Sequence, residues 1–275
     1  MEESDMTAFI IPYKGKLFQE TRNAYFLKAF GEEVKEMRII PFGRCNYACP
    51  YCKRNGYDKD DGSIKGSIEV EEEAILYAAK DAVSKHQIVR LSGGDPCTYA
   101  DLSIKVLEQV KQLGGIGSMA HNGSSPEFIQ YLVDKQLLDS ISVDLKGKDP
   151  QSLKRVTGIS EKLSYFMWSK TLETLEVLKR ARHIKIDIRT CVFSDTTYEE
   201  LLSIGKIIKQ YSNPNVFWTL RIYSIVDSFS KETKTVEDMK LLAKLLSSQL
   251  FDLKIGIRVK WEKGAFFYYF NGKEV

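Results

Sequence analysis

MRIIPFGRCNYACPYCKR, residues 37–54, joins an apolar run to a loop that holds three of the chain's five cysteines within eight residues. MRIIPFG (37–43) has the length and apolar content of a buried strand. The loop behind it carries Cys45, Cys49 and Cys52, separated by aromatic, proline and small or polar residues. A chain this poor in cysteine has a chemical reason to place three of them in one short loop.

The same strand-then-loop pattern continues outward. EVEEEAILYAAKDAVSK (69–85) is predicted as a helix with acidic first turns, and QIVRLSGG (87–94) as a strand ending in a glycine turn. A helix over 99–113, a strand over 115–123 and a helix over 125–137 follow, the last with Ser125 as cap and Pro126 at its first position. DSISVDLKG (139–147) is a strand and 164–182 a long helix. Strand 184–193, helix 198–212, strand 215–225 and helix 235–250 complete six β–α units. Strands alternating with helices of this length imply a parallel sheet with right-handed crossovers, either doubly wound or an incomplete barrel. Residues 1–36 are a leading extension, 37–252 the α/β core, and 253–275 a hairpin packed on it and turning at Lys263-Gly264. The leader and the hairpin are also the two segments available to close the mouth of a barrel.

At 275 residues the chain suits one α/β domain. Forty basic against 37 acidic residues leave a net charge of +3, which does not mark a dedicated nucleic-acid binder. No apolar run approaches the ~18–20 residues of a membrane span. An odd number of cysteines in a chain of this size argues against a secreted disulfide framework and for a reducing cytoplasm.

In parallel α/β folds, ligands sit beyond the carboxyl ends of the strands. Cys45, Cys49 and Cys52 follow the first strand, Gly93, Gly94 and Asp95 the second, Asn122 and Gly123 the third. Asp144 and Lys146 end the fourth, two residues apart and so on one face, and Arg189 lies in the fifth. Asp144 with Lys146, and Asp187 with Arg189, are also spaced as ordinary ion pairs. A structural zinc site normally closes with four ligands, but His86, His121 and His183 are distant in sequence. A redox switch needs only two thiols. An iron–sulfur cubane held by three thiolates leaves one iron open to a small molecule. Cys97 reads as a buried thiol near this site, Cys191 as core, His121 as a strand-end histidine, and FFYYF (266–270) as packing.

Cys-x3-Cys-x2-Cys after the first strand, with Tyr51 just before the last cysteine, resembles the radical S-adenosylmethionine superfamily. SGGDP (92–96) is similar to its Gly-Gly-Glu-Pro motif, with Asp95 in place of Glu. DLKG (144–147) and Arg189 resemble elements of the branch that installs glycyl radicals in partner proteins. The resemblance covers roughly residues 37–225 and implies a partial (β/α)6 barrel. It implies that Cys45, Cys49 and Cys52 hold a [4Fe-4S] cluster whose open iron binds S-adenosylmethionine. Gly93, Gly94 and Asp95 would then edge the methionine amino group, Tyr51 the adenine, and Asp144, Lys146 and Arg189 the ribose and carboxylate. Asn122 belongs to the same cofactor site.

The expected activity is reductive cleavage of S-adenosylmethionine to a 5′-deoxyadenosyl radical that abstracts hydrogen, with an electron donor such as flavodoxin or ferredoxin. Its substrate is a small molecule, a protein, a peptide or an RNA. The chain departs from the activating branch in two places. VKEMRIIPFG (34–43) stands where those enzymes carry Gly-Pro-Gly, and Ala120 stands where they often have an acid. The non-enzymatic alternative is an iron–sulfur or zinc protein that uses the loop for structure or sensing. It needs neither the glycine turn nor six β–α units.

Overall fold

The computed structural model describes residues 7–21, 25–33, 35–52, 56, 58, 60–225, 229–258 and 266–275. The chain opens with β1 (Thr7–Ile10), β2 (Gln19–Thr21) and a 3-10 turn at Tyr25–Phe30, and then enters β3 (Met37–Phe42). The cysteine loop leads to β4 (Ile68–Glu71) and α1 (Glu72–Ser84). The units β5 (Ile88–Gly93) with α2 (Ala100–Gln112), and β6 (Ile116–His121) with α3 (Pro126–Asp134), follow. Next come β7 (Ser140–Asp144) with α4 (Pro150–Thr157) and α5 (Glu161–Arg180), and β8 (Lys185–Val192) with α6 (Tyr198–Gln210). The chain ends with β9 (Val216–Ile222), α7 (Val236–Gln249), β10 (Lys254–Arg258), β11 (Phe266–Phe270) and β12 (Lys273–Glu274).

One sheet runs in the order β12-β11-β10-β9-β8-β7-β6-β5-β3-β1-β4, with β2 beside the start of β3. β3 and β5 through β10 are all parallel. Among the described residues the two ends of the sheet do not pair, so the barrel is partial. Six β–α units are present as expected. β10 adds a seventh parallel strand and pairs antiparallel with β11, Arg258 opposite Phe266. The expected turn at Lys263-Gly264 lies outside the described residues. Pro41 sits inside β3 without breaking it. Its carbonyl accepts the Ile11 N–H at 2.8 Å, and only the return bond that its missing N–H would donate is lost, where β1 ends.

Strand alternation sorts the two faces of the sheet. Ile141, Val143, Ile186, Ile188, Trp218 and Leu220 belong to the large core under the helices. The intervening residues Ser140, Ser142, Asp187, Arg189 and Thr219 line the opposite, inner face and are buried. The amino end of that inner face is plugged by Leu27, Ala29, Met37, Ile88 and Phe217, with Phe30, Ile116, Phe266 and Tyr268 against them. Lys254 Nζ donates to the carbonyl of Ala29 at 2.7 Å and ties the leader to β10.

Four expectations change. The helix expected from residue 69 begins as strand: Ile68–Glu71 pair with β1, and the helix starts at Glu72. α4 was not expected. Its signals are local: Asp149 and Ser152 form a capping box, Pro150 opens the helix, and Gly158 ends it at φ 74°. Ser125 occupies the cap position of α3 without a side-chain cap bond. Finally, the leader and hairpin divide between the two ends of the sheet. Leu27 and Ala29 pack on Met37, Ile88 and Phe217 at the amino end, whereas β1 backs the base of the cysteine loop, where Gly43 N–H donates to the Phe9 carbonyl, and Phe266 pairs with Arg258 at the carboxyl end of β10.

Candidate functional site

The base of the cysteine loop is clamped by backbone. Gly94 N–H donates to the Phe42 carbonyl at 2.6 Å and Asp95 N–H to the Arg44 carbonyl at 2.7 Å. Gly93 has φ +105°, and a Cβ there would meet the Phe42 backbone; one on Gly94 would meet the Arg44 carbonyl. Glycine is required at both positions because two chain segments cross with no room for a side chain. The Cys52 N–H donates to the Cys49 carbonyl at 3.0 Å and closes a tight turn. Tyr47, with Leu153 of α4 and Met167 of α5, forms an apolar bed under Cys45 and Cys49.

Asn122, at the end of β6, fastens the loop from the side. Its Nδ2 donates to Asn46 Oδ1 at 2.6 Å and lies 3.8 Å from Cys45 Sγ. Asn46 Nδ2 donates in turn to Ser124 Oγ at 2.7 Å. Asp95 is 1% exposed, and its carboxylate accepts the N–H groups of Cys97 at 3.0 Å and Asn122 at 2.7 Å. The Asp95 carboxylate therefore ties the glycine turn to the loop after β6, and it is occupied by backbone. Asn46 and Ser124 escaped the sequence reading. They belong to no motif, and only the fold brings residue 46 beside residue 122.

His121 is buried behind Asp95, with Nε2 3.6 Å from Asp95 Oδ1. Its Nδ1 accepts the Gly123 N–H at 2.8 Å, so the ring is the neutral Nε2–H tautomer. Burial holds its pKa below the ordinary histidine value, against the pull of Asp95 and Asp144. Below about pH 6.5 the unfolded chain takes up a proton that the buried ring refuses. Stability should therefore begin to fall as the pH drops through that value and continue to fall towards the lower folded pKa. The expected result is that His121→Asn flattens the slope of urea-unfolding stability between about pH 7.5 and 5.5. An unchanged slope would show that the ring is not the group responsible.

Asp144, Lys146 and Arg189 meet as expected, and the structure adds Arg221. Asp144 Oδ2 accepts from Lys146 Nζ at 3.0 Å, and Oδ1 from Arg189 Nε at 2.8 Å. Arg189 Nη2 is also 2.8 Å from Oδ1, and Arg221 Nη1 approaches to 4.0 Å. Burial opposes ionisation of Asp144, but Arg189, Lys146 and Arg221 outweigh it and hold the carboxyl well below the usual range. Arg189 thus pairs with Asp144 and not with Asp187, whose carboxylate accepts from Ser142 and Thr219. Lys146 Nζ also donates to the Tyr51 hydroxyl at 3.1 Å, which links this charge cluster to the cysteine loop. The Tyr51 ring packs edge-on to Phe193 at 5.1 Å, beside Phe229. Cys191, expected in the core, lies half-buried in this aromatic group instead, because its parity in β8 places it on the inner face with Asp187 and Arg189.

The loop thiols suit a cluster better than a single ion. Among the described residues, the one acid, histidine and thiol group close enough to share an ion is Asp95, Cys97 and His121. Cys45, Cys49 and Cys52 do not converge in that way. A tetrahedral ion with bonds of about 2.3 Å demands such convergence, whereas a polynuclear cluster puts each thiolate on a different iron. Burial, followed by the nearby Asp95 charge, pushes the Cys45 thiol up to about 12, and burial also raises Cys49. Thiolates there need a strong local positive charge, which iron supplies.

Comparison with known proteins agrees with this geometry. The model of the radical SAM superfamily matches residues 39–208. The chain is similar to a probable GTP 3′,8-cyclase of Methanococcus aeolicus, 32% identical over 134 residues, which are 46% of this chain and 42% of that protein. A probable GTP 3′,8-cyclase of Thermococcus kodakarensis is 29% identical over 130 residues, 47% of this chain and 41% of that one. The chain thus spans about two fifths of the length of these curated relatives. Among solved structures, archaeal TYW1 aligns at a TM-score of 0.56 and 17% identity, covering 90% of this chain and 84% of its own. A radical SAM methyltransferase from Sphaerobacter thermophilus aligns at 0.60 and 7%, covering 82% and 67%. Three thiols on a loop beyond the first parallel strand, clamped by a Gly-Gly turn, and a family match over well over half its length place the chain in the radical SAM superfamily, as an enzyme of the class that works with a [4Fe-4S] cluster and S-adenosylmethionine.

Proposed function

We propose that this enzyme cleaves S-adenosylmethionine reductively and turns over a small molecule held on the inner face of the sheet. Cys45, Cys49 and Cys52 would hold the cluster, with Gly93, Gly94, Asp95 and Asn122 shaping its loop. Tyr51, Asp144, Lys146 and Arg189 would orient the cofactor. When bound and reduced, the cluster with S-adenosylmethionine would supply the radical chemistry that removes a hydrogen atom from the substrate. The residues of this chain bind and orient the reactants, and the aromatic group around Tyr51 keeps water from the reacting centre. A one-electron donor of the flavodoxin or ferredoxin kind would reduce the cluster, in a reducing cytoplasm. No helix among the described residues is long and apolar enough to cross a membrane.

The observation that carries this reading is the bond between Lys146 and Tyr51. It couples the Asp144 cluster directly to the loop of three thiols. Relatives named for GTP support a small-molecule substrate. Lys146→Ala is the test. Its expected effect is unchanged iron content and S-adenosylmethionine binding weakened about tenfold or more, equivalent to at least 1.4 kcal/mol. Unchanged affinity with a lower melting temperature would make Lys146 a structural ion pair. A second reading, glycyl-radical activation of a partner protein, is favoured by Lys146 of the DLKG stretch and Arg189 meeting on Asp144. An EPR-detectable glycyl radical in such a partner would establish it and displace the small-molecule reading.

A further inference from the structure

Arg221 lies on the inner face near the carboxyl end of β9, and its ion pair to Asp144 is long, at 4.0 Å. It sits opposite Cys191 of β8 and directly opposite Arg258 of β10. Like charges in direct cross-strand register repel. The carboxylate closest to Arg221 is Asp144, at 4.0 Å, and both Asp144 oxygens are already taken, Oδ1 by Arg189 and Oδ2 by Lys146. Among the described residues, Arg221 donates no hydrogen bond, and its side chain is 35% exposed at the carboxyl end of the strands. Deeper in, Arg90 is locked by Ser118 and Ser142, at 2.7 Å each. Burial, and then the nearby Arg189 charge, pushes Arg90 down to about 9. Among the described residues, Arg90, Lys146, Arg189 and Arg221 thus face only Asp144 and Asp187, and the layer carries excess positive charge.

We propose that the inner face of β8–β10 is a subsite for an oxyanion of the substrate, a phosphate or a carboxylate, gripped by Arg221. This rests on the reading that a small molecule is turned over here. A guanidinium that donates no hydrogen bond among the described residues and has a long ion pair at a partly exposed mouth offers a planar fork that matches either group with two parallel bonds. An anion between Arg221 and Arg258 would also relieve their repulsion. The same chemistry occurs in the carboxylate of S-adenosylmethionine. The substrate is favoured because Arg221 reaches Asp144 from β9, whereas Lys146 is bonded to Tyr51 of the cysteine loop.

The test is calorimetric titration of the cluster-loaded protein with pyrophosphate and, separately, malonate, each with and without saturating S-adenosylmethionine. The expected result is that one of the two binds with the cofactor present, that Arg221→Gln weakens it about tenfold or more, and that Arg221→Lys retains part of the affinity. S-adenosylmethionine affinity of Arg221→Gln should stay within about twofold of wild type. Failure of both anions to bind, or equal binding by Arg221→Gln, would overturn the subsite. Displacement of the anion by S-adenosylmethionine would assign Arg221 to the cofactor instead and also overturn it. Conversion of the cofactor to 5′-deoxyadenosine is assayed in the same preparation. Cleavage without anion binding rejects the subsite alone, whereas anion binding without cleavage rejects the radical reading and supports the subsite.

Discussion

Cys45→Ala, Cys49→Ala and Cys52→Ala are each expected to abolish the brown iron–sulfur chromophore after anaerobic reconstitution, while Cys97→Ala and Cys191→Ala retain it. Each loop thiol supplies one iron with its protein ligand, so no single loss is tolerated. The two other thiols are committed elsewhere. Cys97 lies with Asp95 and His121 behind the glycine turn, and Cys191 packs in the aromatic group around Tyr51. Asn122 and Asn46 hold Cys45 in place, so a distant cysteine cannot move in without dismantling that network. Absorbance near the charge-transfer band and iron content per chain would decide the matter. Loss of the chromophore in Cys97→Ala with retention in Cys45→Ala would refute the ligand assignment.

Asp144→Asn should be the most damaging change outside the loop. Asp144 is the shared anion for the buried Lys146 and Arg189 and for the partly exposed Arg221. Removing one member of a buried ionic group leaves uncompensated charge, which typically costs about 3–5 kcal/mol. Urea unfolding of the variant should show a loss of that order together with weaker S-adenosylmethionine binding. Because the Asp144 pKa is held low, its contribution is present above the ordinary carboxylate value of about 3.9 and is lost as the pH falls towards the folded value. A loss below about 1 kcal/mol, the scale of an exposed pair, would contradict the role given to Asp144 here.

The parts of the fold that were legible in the sequence are those set by local pattern. The six β–α units follow from strand runs, helix periodicity and turn glycines, and the cysteine spacing is a contiguous signal. Asp144 and Lys146 stood out because they end a strand, where a parallel sheet presents its ligands, and Arg189 because it resembles an arginine of the activating branch. What could not be read depends on tertiary neighbours. Glu69 and Glu71 resemble a helix first turn, yet they form an edge strand because β1 folds back to pair with them. The sequence leaves the placement of the leader open: Leu27 and Ala29 are drawn to the apolar end by Met37 and Phe217, while β1 pairs with β3 and β4. Arg221 and Arg258 lie in separate strands and look unrelated until the register sets them opposite each other. Cys191 seemed a core thiol because its strand is apolar on one side, whereas its own parity places it on the other.

The central claim is that the loop of Cys45, Cys49 and Cys52 supports reductive cleavage of S-adenosylmethionine. The most direct measurement incubates the cluster-loaded protein anaerobically with dithionite and S-adenosylmethionine and separates the products by chromatography. Slow, cluster-dependent formation of 5′-deoxyadenosine and methionine is expected even without substrate, and none with Cys45→Ala. Absence of both products from protein carrying a full cluster would contradict the account.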